Sequence, residues 1–498
     1  MDNETTELEP NESTDASKPP TPPTPAIQIR QILRRYLTSL SGIEKILEAN
    51  REHLPSLSAL NLIIDSVAEE GGISLSREKH QELMQVMSQH LKSWIDMDEE
   101  LSERAQRGED STRLDEEYRA RSDSLLEAAF EGYAKTGVGA SIALDLVLSS
   151  SPSAILRQPR WLFYSSLLVS AVSMTEVFIG QMMKAFYRSR PQALHGTEVR
   201  FSFADISQFE SIESLRSHHV ERQVEATIRQ GGLDEWMKWF ETKLKIGYGQ
   251  VTTQPVQLRE VFQRRHVHVH NDGNASDLYL AKMHDLPEKE KPDLGEHLFI
   301  TDEYLTAAVD RLRLFGITLA VLSARKLTSK TDPSARIMEL EQYTGSLVYG
   351  LLRAEKYPQV VELVGLIKEG SRVQSLSLMM QVNSWIARSR IGQKGWRKEV
   401  EEWDTSALER TFDLARLTLL GELQEAYDLA RELLAKGDID QDDYNQWPLL
   451  QPIREAFPEA HEDEIASTEE ESQQATPIEG AFPSQRGQEE SEFLTPQD

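Results

Sequence analysis

The stretch TDEYLTAAVDRLRLFGITLAVL, Thr301 to Leu322, decides the fold class. Its apolar residues Leu305, Ala308, Val309, Leu312, Phe315, Leu319 and Leu322 fall three and four apart, the spacing of one face of an α-helix. Thr301 stands where an N-cap belongs. Asp302 and Glu303 follow in the first turn, where carboxylates favour the helix dipole. The same spacing runs over residues 208–230 through Phe209, Ile212, Leu215, Val220, Val224 and Ile228, and stops at Gly231-Gly232. Alternating β-branched runs are scarce elsewhere, so the expected fold class is all-α.

The chain has 498 residues, a formal net charge of −28 and no cysteine. That excludes a disulfide scaffold, thiolate catalysis and cysteine-ligated metal sites. Met1-Asp2-Asn3-Glu4 offers neither a basic nor an apolar stretch, so the start does not read as a signal peptide and a cytoplasmic location is expected. The acidity is unevenly placed. Residues 1–25 carry six acids against Lys18, and residues 459–498 carry twelve against Arg486. Both ends, 1–25 and 462–498, are Pro-, Glu- and Ser-rich with too little apolar surface to offset ordering, and are expected to be disordered tails.

Between the tails the sequence divides into three blocks. Residues 26–135 read as an accessory helical region, broken near Pro55 and Gly71-Gly72. Residues 136–328 hold an apolar run, Trp161 to Met183, interrupted by Glu176 after fifteen uncharged residues. A membrane span needs about 20 predominantly apolar residues and a carboxylate in lipid is costly, so a buried core helix is expected, with no membrane association. Glu176 on such a helix needs a partner, unless it sits on a wet face. Residues 336–458 read as helix pairs: Leu352-x₄-Tyr357-x₂-Val360-x₂-Leu363 recurs 66 residues on as Thr418-x₄-Leu423-x₂-Ala426-x₂-Leu429. That interval is about twice the tetratricopeptide period, and the region is a candidate surface for a protein partner. An ordinary helical bundle fits the pattern nearly as well.

The densest chemistry lies in REVFQRRHVHVHNDGNASDLYL, from Arg259. His266, His268 and His270 on a strand would share one face, as zinc ligands can. On a helix His266 and His270 share a face and His268 turns away. Leu258, Phe262 and Val269 have helical spacing, and Arg264-Arg265 oppose a dication, so no metal site is expected. The alternative is phosphate chemistry. Arg265 offers a planar fork for a phosphate, and a histidine exchanges protons near neutral pH. Such a pair suffices for metal-free transesterification at a ribose 2′-hydroxyl. A plainer possibility is that these side chains pair with carboxylates and order a helix end before Gly273. No acidic triad for Mg²⁺ appears, and Gly137-Val138-Gly139 lacks the rest of a nucleotide-binding glycine motif, so no cofactor is expected.

Arg264-Arg265-His266-Val267-His268-Val269-His270-Asn271-Asp272-Gly273 resembles the Arg-x₄₋₆-His hallmark of the HEPN superfamily, with Arg265 and His270 in the hallmark positions. The helix carrying Ala171, Met174, Glu176, Val177 and Phe178, the Phe203-to-Tyr248 stretch and the Tyr304 helix are similar to that family's other elements, over about residues 155–328. The residue after the arginine departs from the usual Asn or Asp: it is His266. The resemblance implies a four- or five-helix HEPN-like bundle within 136–328, dimerising across the motif. It also implies metal-independent endoribonuclease activity of the kind found in toxin–antitoxin and phage-defence systems, or a relative that only binds. Arg265 and His270 would then be catalytic, with Arg264 (steering), His266 (orienting), Asn271 and Glu176 in support, and RNA the substrate. From Arg200 to His270 there are ten Lys+Arg and nine Asp+Glu, which permits a small phosphate-holding cleft but not an extended nucleic-acid track.

Overall fold

The computed structural model describes residues 24–51, 59–107, 109–149, 159–194, 202, 206–328 and 335–458; the tails read as disordered lie outside them, apart from Thr24 and Pro25. The described elements are helices, with one isolated antiparallel bridge, Asn274 to His297. The fold is all-α. The chain divides into two compact units, Met1–Gln381 and Val382–Asp498.

The first unit contains α1 (Pro25–Asn50), α2 (Ala59–Glu70), α3 (Arg77–Gln106), α4 (Ser111–Lys135), α5 (Ala140–Ser149), α6 (Pro159–Ser189), α7 (Ile212–Gln230), α8 (Leu233–Leu244), α9 (Pro255–His270), α10 (Asp277–Lys282), α11 (Asp302–Leu327), α12 (Ala335–Arg353) and α13 (Tyr357–Ile367). Helix α11 starts as its sequence dictates: the Tyr304 N–H donates to Thr301 Oγ1 at 3.1 Å, and Asp302 and Glu303 fill the first turn. Helix α7 begins later than its apolar spacing suggests. Ser211 caps it by accepting from the Ser214 N–H, while Phe209 stays outside and packs its ring on His218.

Three long helices, α1, α6 and α11, pack on one another and form the centre of this unit. They meet at Tyr36. Its ring stacks on Phe178 of α6 with centroids 4.4 Å apart, and its buried hydroxyl lies 3.0 Å from the Thr175 hydroxyl and donates to Leu312 O of α11 at 2.9 Å. Burial raises the Tyr36 pKa, which keeps the phenol a donor. The ring edge occupies a notch at Gly316, where an added Cβ would lie 2.3 Å from Tyr36 Cε1. Helix α6 is long and apolar enough to cross a membrane over Trp161–Ser189, with a mean hydropathy of 1.6 in its most apolar window. In this fold it packs against α1, α7, α9 and α11, and Leu168, Val172, Ile179 and Met183 are buried.

The packing does not follow the sequence division at residue 135. Helix α1 packs on α6 and α11 rather than with residues 59–135. Helix α5, beyond the division, joins α2, α3 and α4 around Ile64, Leu83, Met87, Tyr133 and Leu146. The reason is physical: an apolar stripe such as Ile29, Leu33, Tyr36, Leu40 and Leu47 states that a helix needs cover, but not which helix supplies it.

The 66-residue repeat corresponds to two helix pairs. Helices α12 and α13 form one in the first unit; α14 (Arg410–Leu420) and α15 (Leu423–Lys436) form the other in the second. Leu352, Val360 and Leu363 are buried, and so are Thr418, Ala426 and Leu429 at the matching positions. The turns match too, with φ of 55° at Glu355 and 86° at Gly421. The block 336–458 therefore contributes a pair to each unit.

Gly316 tests the central junction. On helix propensity alone alanine would be favoured by about 1 kcal/mol. The overlap with Tyr36 outweighs that, so Gly316→Ala should destabilise by about 1–3 kcal/mol. The measurement is the urea midpoint. A midpoint that rises would show that the ring is free to move aside.

Candidate active site

Helix α9 starts at Pro255 and buries Leu258, Val261, Phe262 and Val267. Arg259 fastens its outer side, donating Nε to Asp234 Oδ1 at 3.2 Å and Nη1 to Asp285 Oδ2 at 2.7 Å. The next residue, Glu260, is buried, 7 % exposed, and accepts three bonds: from Arg264 Nε at 2.6 Å, from the Tyr279 hydroxyl at 3.0 Å and from the Tyr304 hydroxyl. Arg264 also donates Nη1 to Phe299 O at 2.7 Å, and its guanidinium lies 4.2 Å over the Tyr304 ring. Burial works against the Arg264 charge, but Tyr304 and Glu260 outweigh it and raise its pKa above the ordinary arginine value. Burial and Glu260 push the Tyr304 phenol well up. Arg264 is thus an internal brace tying α9 to α11, where the sequence suggested a steering charge.

Arg265, the next residue, faces α6. Its Nη2 donates to Glu176 Oε1 at 2.8 Å, and its Nε is buried with no hydrogen-bond partner. Glu176 therefore has the partner its position in an apolar run demanded. Burial raises its pKa, and the Arg265 charge and hydrogen bond pull the other way.

His266 and His270 lie side by side, ring centroids 4.6 Å apart and planes tilted 48°. Burial lowers the His266 pKa, and His270, Lys282 and Arg265 add to that. His270 is exposed on the last turn. His268 turns to the opposite side, as 100° per residue requires, with Nε2 2.7 Å from Leu298 O. A carbonyl only accepts, so that nitrogen carries the proton. Among the described residues no three His, Asp or Glu side chains gather into a set able to hold a metal ion.

The end of α9 is built to stop. The Asn271 N–H closes the last turn on Val267 O at 2.8 Å, and its side chain donates to Asn274 O at 2.6 Å. Asp272 and Gly273 follow with φ of 49° and 81°. Asn271 shapes this turn rather than joining the histidine pair. At Gly273 a Cβ would meet His297 Cε1 at 2.4 Å and His268 Cε1 at 2.9 Å, so only glycine fits. His297, which no sequence pattern marked, lies with Nδ1 3.1 Å from Asn274 Oδ1 and its ring 5.7 Å from His268. Leu298 N donates to Gly273 O and Ala275 N to Glu296 O, each at 2.8 Å, on either side of the Asn274–His297 bridge. The carboxylate at Glu260 also escaped the sequence reading; its spacing of four before Arg264 was the available signal.

No family model, curated protein or solved structure matches the chain.

His268 gives a pH test. Burial lowers its pKa from the ordinary 6.5, with the bond to Leu298 O opposing; His297 and Arg264 lower it further and Asp272 raises it. The folded pKa is below the unfolded one. Above pH 6.5 both states are neutral and nothing is lost; as pH falls below 6.5 the unfolded chain takes a proton that the folded one resists, and stability drops. Melting temperatures at pH 7.5 and 5.5 should therefore differ less for His268→Gln, which keeps a donor for Leu298 O, than for the wild type. Equal differences would mean that His268 protonates freely in the fold.

Proposed function

We propose that this protein is a metal-independent endoribonuclease of the HEPN type, with Arg265 and His270 as its catalytic pair. The observation that supports it is one helix end carrying two imidazoles in contact, one of them exposed, beside a guanidinium whose fork is only partly used. In this reading an imidazole takes the proton of a ribose 2′-hydroxyl, the 2′-oxygen attacks the adjacent phosphorus, and the bond to the 5′-oxygen breaks. The departing oxygen regains a proton from the same or a second imidazole. His270 is the exchanging group and His266 orients it. Arg265 holds the phosphate and stabilises its growing charge. A homodimer across this helix end would supply the second acid–base group without further sequence, and helix pairs such as α14–α15 are the candidate surface for a regulatory protein partner.

A second reading, a non-catalytic helical scaffold, is favoured by one observation: Arg265 already has an ion-pair partner in Glu176. The two readings separate on total RNA with EDTA present. The nuclease reading expects cleavage unaffected by chelator. His270→Ala should then lower the rate by about 10²–10⁴-fold, the usual worth of a positioned acid or base. Arg265→Lys should be severely impaired because lysine has no fork. His268→Ala should change the rate much less. Wild-type protein that cuts no RNA, alone or as a dimer by light scattering, supports the scaffold. Equal cleavage by His270→Ala would remove His270 from the mechanism.

A further inference from the structure

We infer that Glu176 is the resting occupant of the place where substrate phosphate binds Arg265, an internal carboxylate that RNA must displace; this rests on the nuclease reading above. The protein contains its own standard for a closed Arg–carboxylate fork. Arg51 donates Nε to Asp302 Oδ2 at 2.6 Å and Nη2 to Oδ1 at 2.9 Å, two bonds on two oxygens. Arg265 makes only the Nη2 bond to Glu176. Its Nε–H lies on the same edge of the guanidinium, buried and without an acceptor. A buried donor left unsatisfied raises the energy of the arrangement that holds it. The resting pair is therefore the weaker form of a contact this guanidinium can make in full.

A phosphodiester presents two charged oxygens at the spacing that accepts Nε and Nη2 together. It can take that edge only when the Glu176 carboxylate leaves Nη2. Both side chains retain partial access to solvent, at 21 % exposure for Arg265 and 25 % for Glu176. Glu176 also sits on α6, which the Tyr36 junction fixes, so its carboxylate stays in place as a competitor while α9 carries the arginine. Its charge further screens Arg265 from adventitious anions. Glu176 is a gating residue and takes no part in the bond changes.

The experiment is binding of a 2′-O-methyl oligoribonucleotide, which lacks the attacking hydroxyl, followed by fluorescence anisotropy with the full chain. Glu176→Gln preserves shape and removes the charge. It should bind about tenfold tighter than wild type, the scale of one charge-assisted hydrogen bond. The gain should vanish when Arg265→Ala is added. Glu176→Asp, with a shorter reach, should also bind more tightly and serves if the glutamine variant misfolds. Equal or weaker binding by folded Glu176→Gln would overturn the inference and leave Glu176 as a support for the arginine. If neither wild type nor variant binds the oligonucleotide, the nuclease reading fails, and inorganic phosphate becomes the probe. Phosphate should then protect Arg265 from phenylglyoxal, read by mass spectrometry of its peptide, at lower concentration in Glu176→Gln than in wild type. Equal protection overturns the competition itself.

Discussion

The Tyr36 ring in the notch at Gly316 is the contact on which the first unit depends. Gly316 lacks the side chain that would strike the ring, and so leaves room for Tyr36 where the three long helices meet. The Tyr36 hydroxyl then satisfies itself on the two helices it touches, near Thr175 and on Leu312 O, so the ring is fixed in depth as well as position. Thr175 is the residue before Glu176, and Tyr304 lies in the first turn of the helix that carries Leu312. The junction thereby sets both surfaces against which α9 is aligned, Glu176 on one side and Tyr304 on the other.

Two adjacent arginines on α9 serve opposite ends. Arg264 turns inward and is spent on the buried Glu260, on Phe299 O and on the Tyr304 ring, and loss of Glu260 would leave its charge uncompensated. Arg265 turns toward α6 and keeps donors in reserve. The difference arises from 100° of helix rotation, not from composition. Because Arg264 holds α9 in rotation about its own axis, it also determines which face His266 and His270 present. Structural and chemical roles are thus separated by a single position.

Much of this was legible in the sequence, and the part that was not has a common cause. The α11 cap, the pairing of His266 with His270 and the turning away of His268 follow from helical geometry within one segment. That Glu176 needs a partner follows from the cost of a lone buried carboxylate, though Arg265, 89 positions away, was not named by that argument. Arg264 misled because a charged residue beside a motif reads as surface until its buried neighbours are known. His297 and the cover for α1 come from segments whose local pattern says nothing about where they meet. Local periodicity reports which face is apolar; it carries no address for the partner.

That missing address has a temporal side. Tyr36 and Leu312 are 276 positions apart, and the surface α1 requires is completed only when α11 has been made. At ribosomal rates of about 5–20 residues per second, α1 leaves the exit tunnel on the order of tens of seconds before its partner exists. During that interval an amphipathic helix with Ile29, Leu33, Leu40 and Leu47 on one side has α6 as cover once that helix is made, but not α11. Residues 59–149 face no such delay, since α2 to α5 close over one another within about 90 residues. The order of synthesis and the order of closure therefore differ: residues 59–149 have all their mutual partners before the first helix has the full surface that covers it.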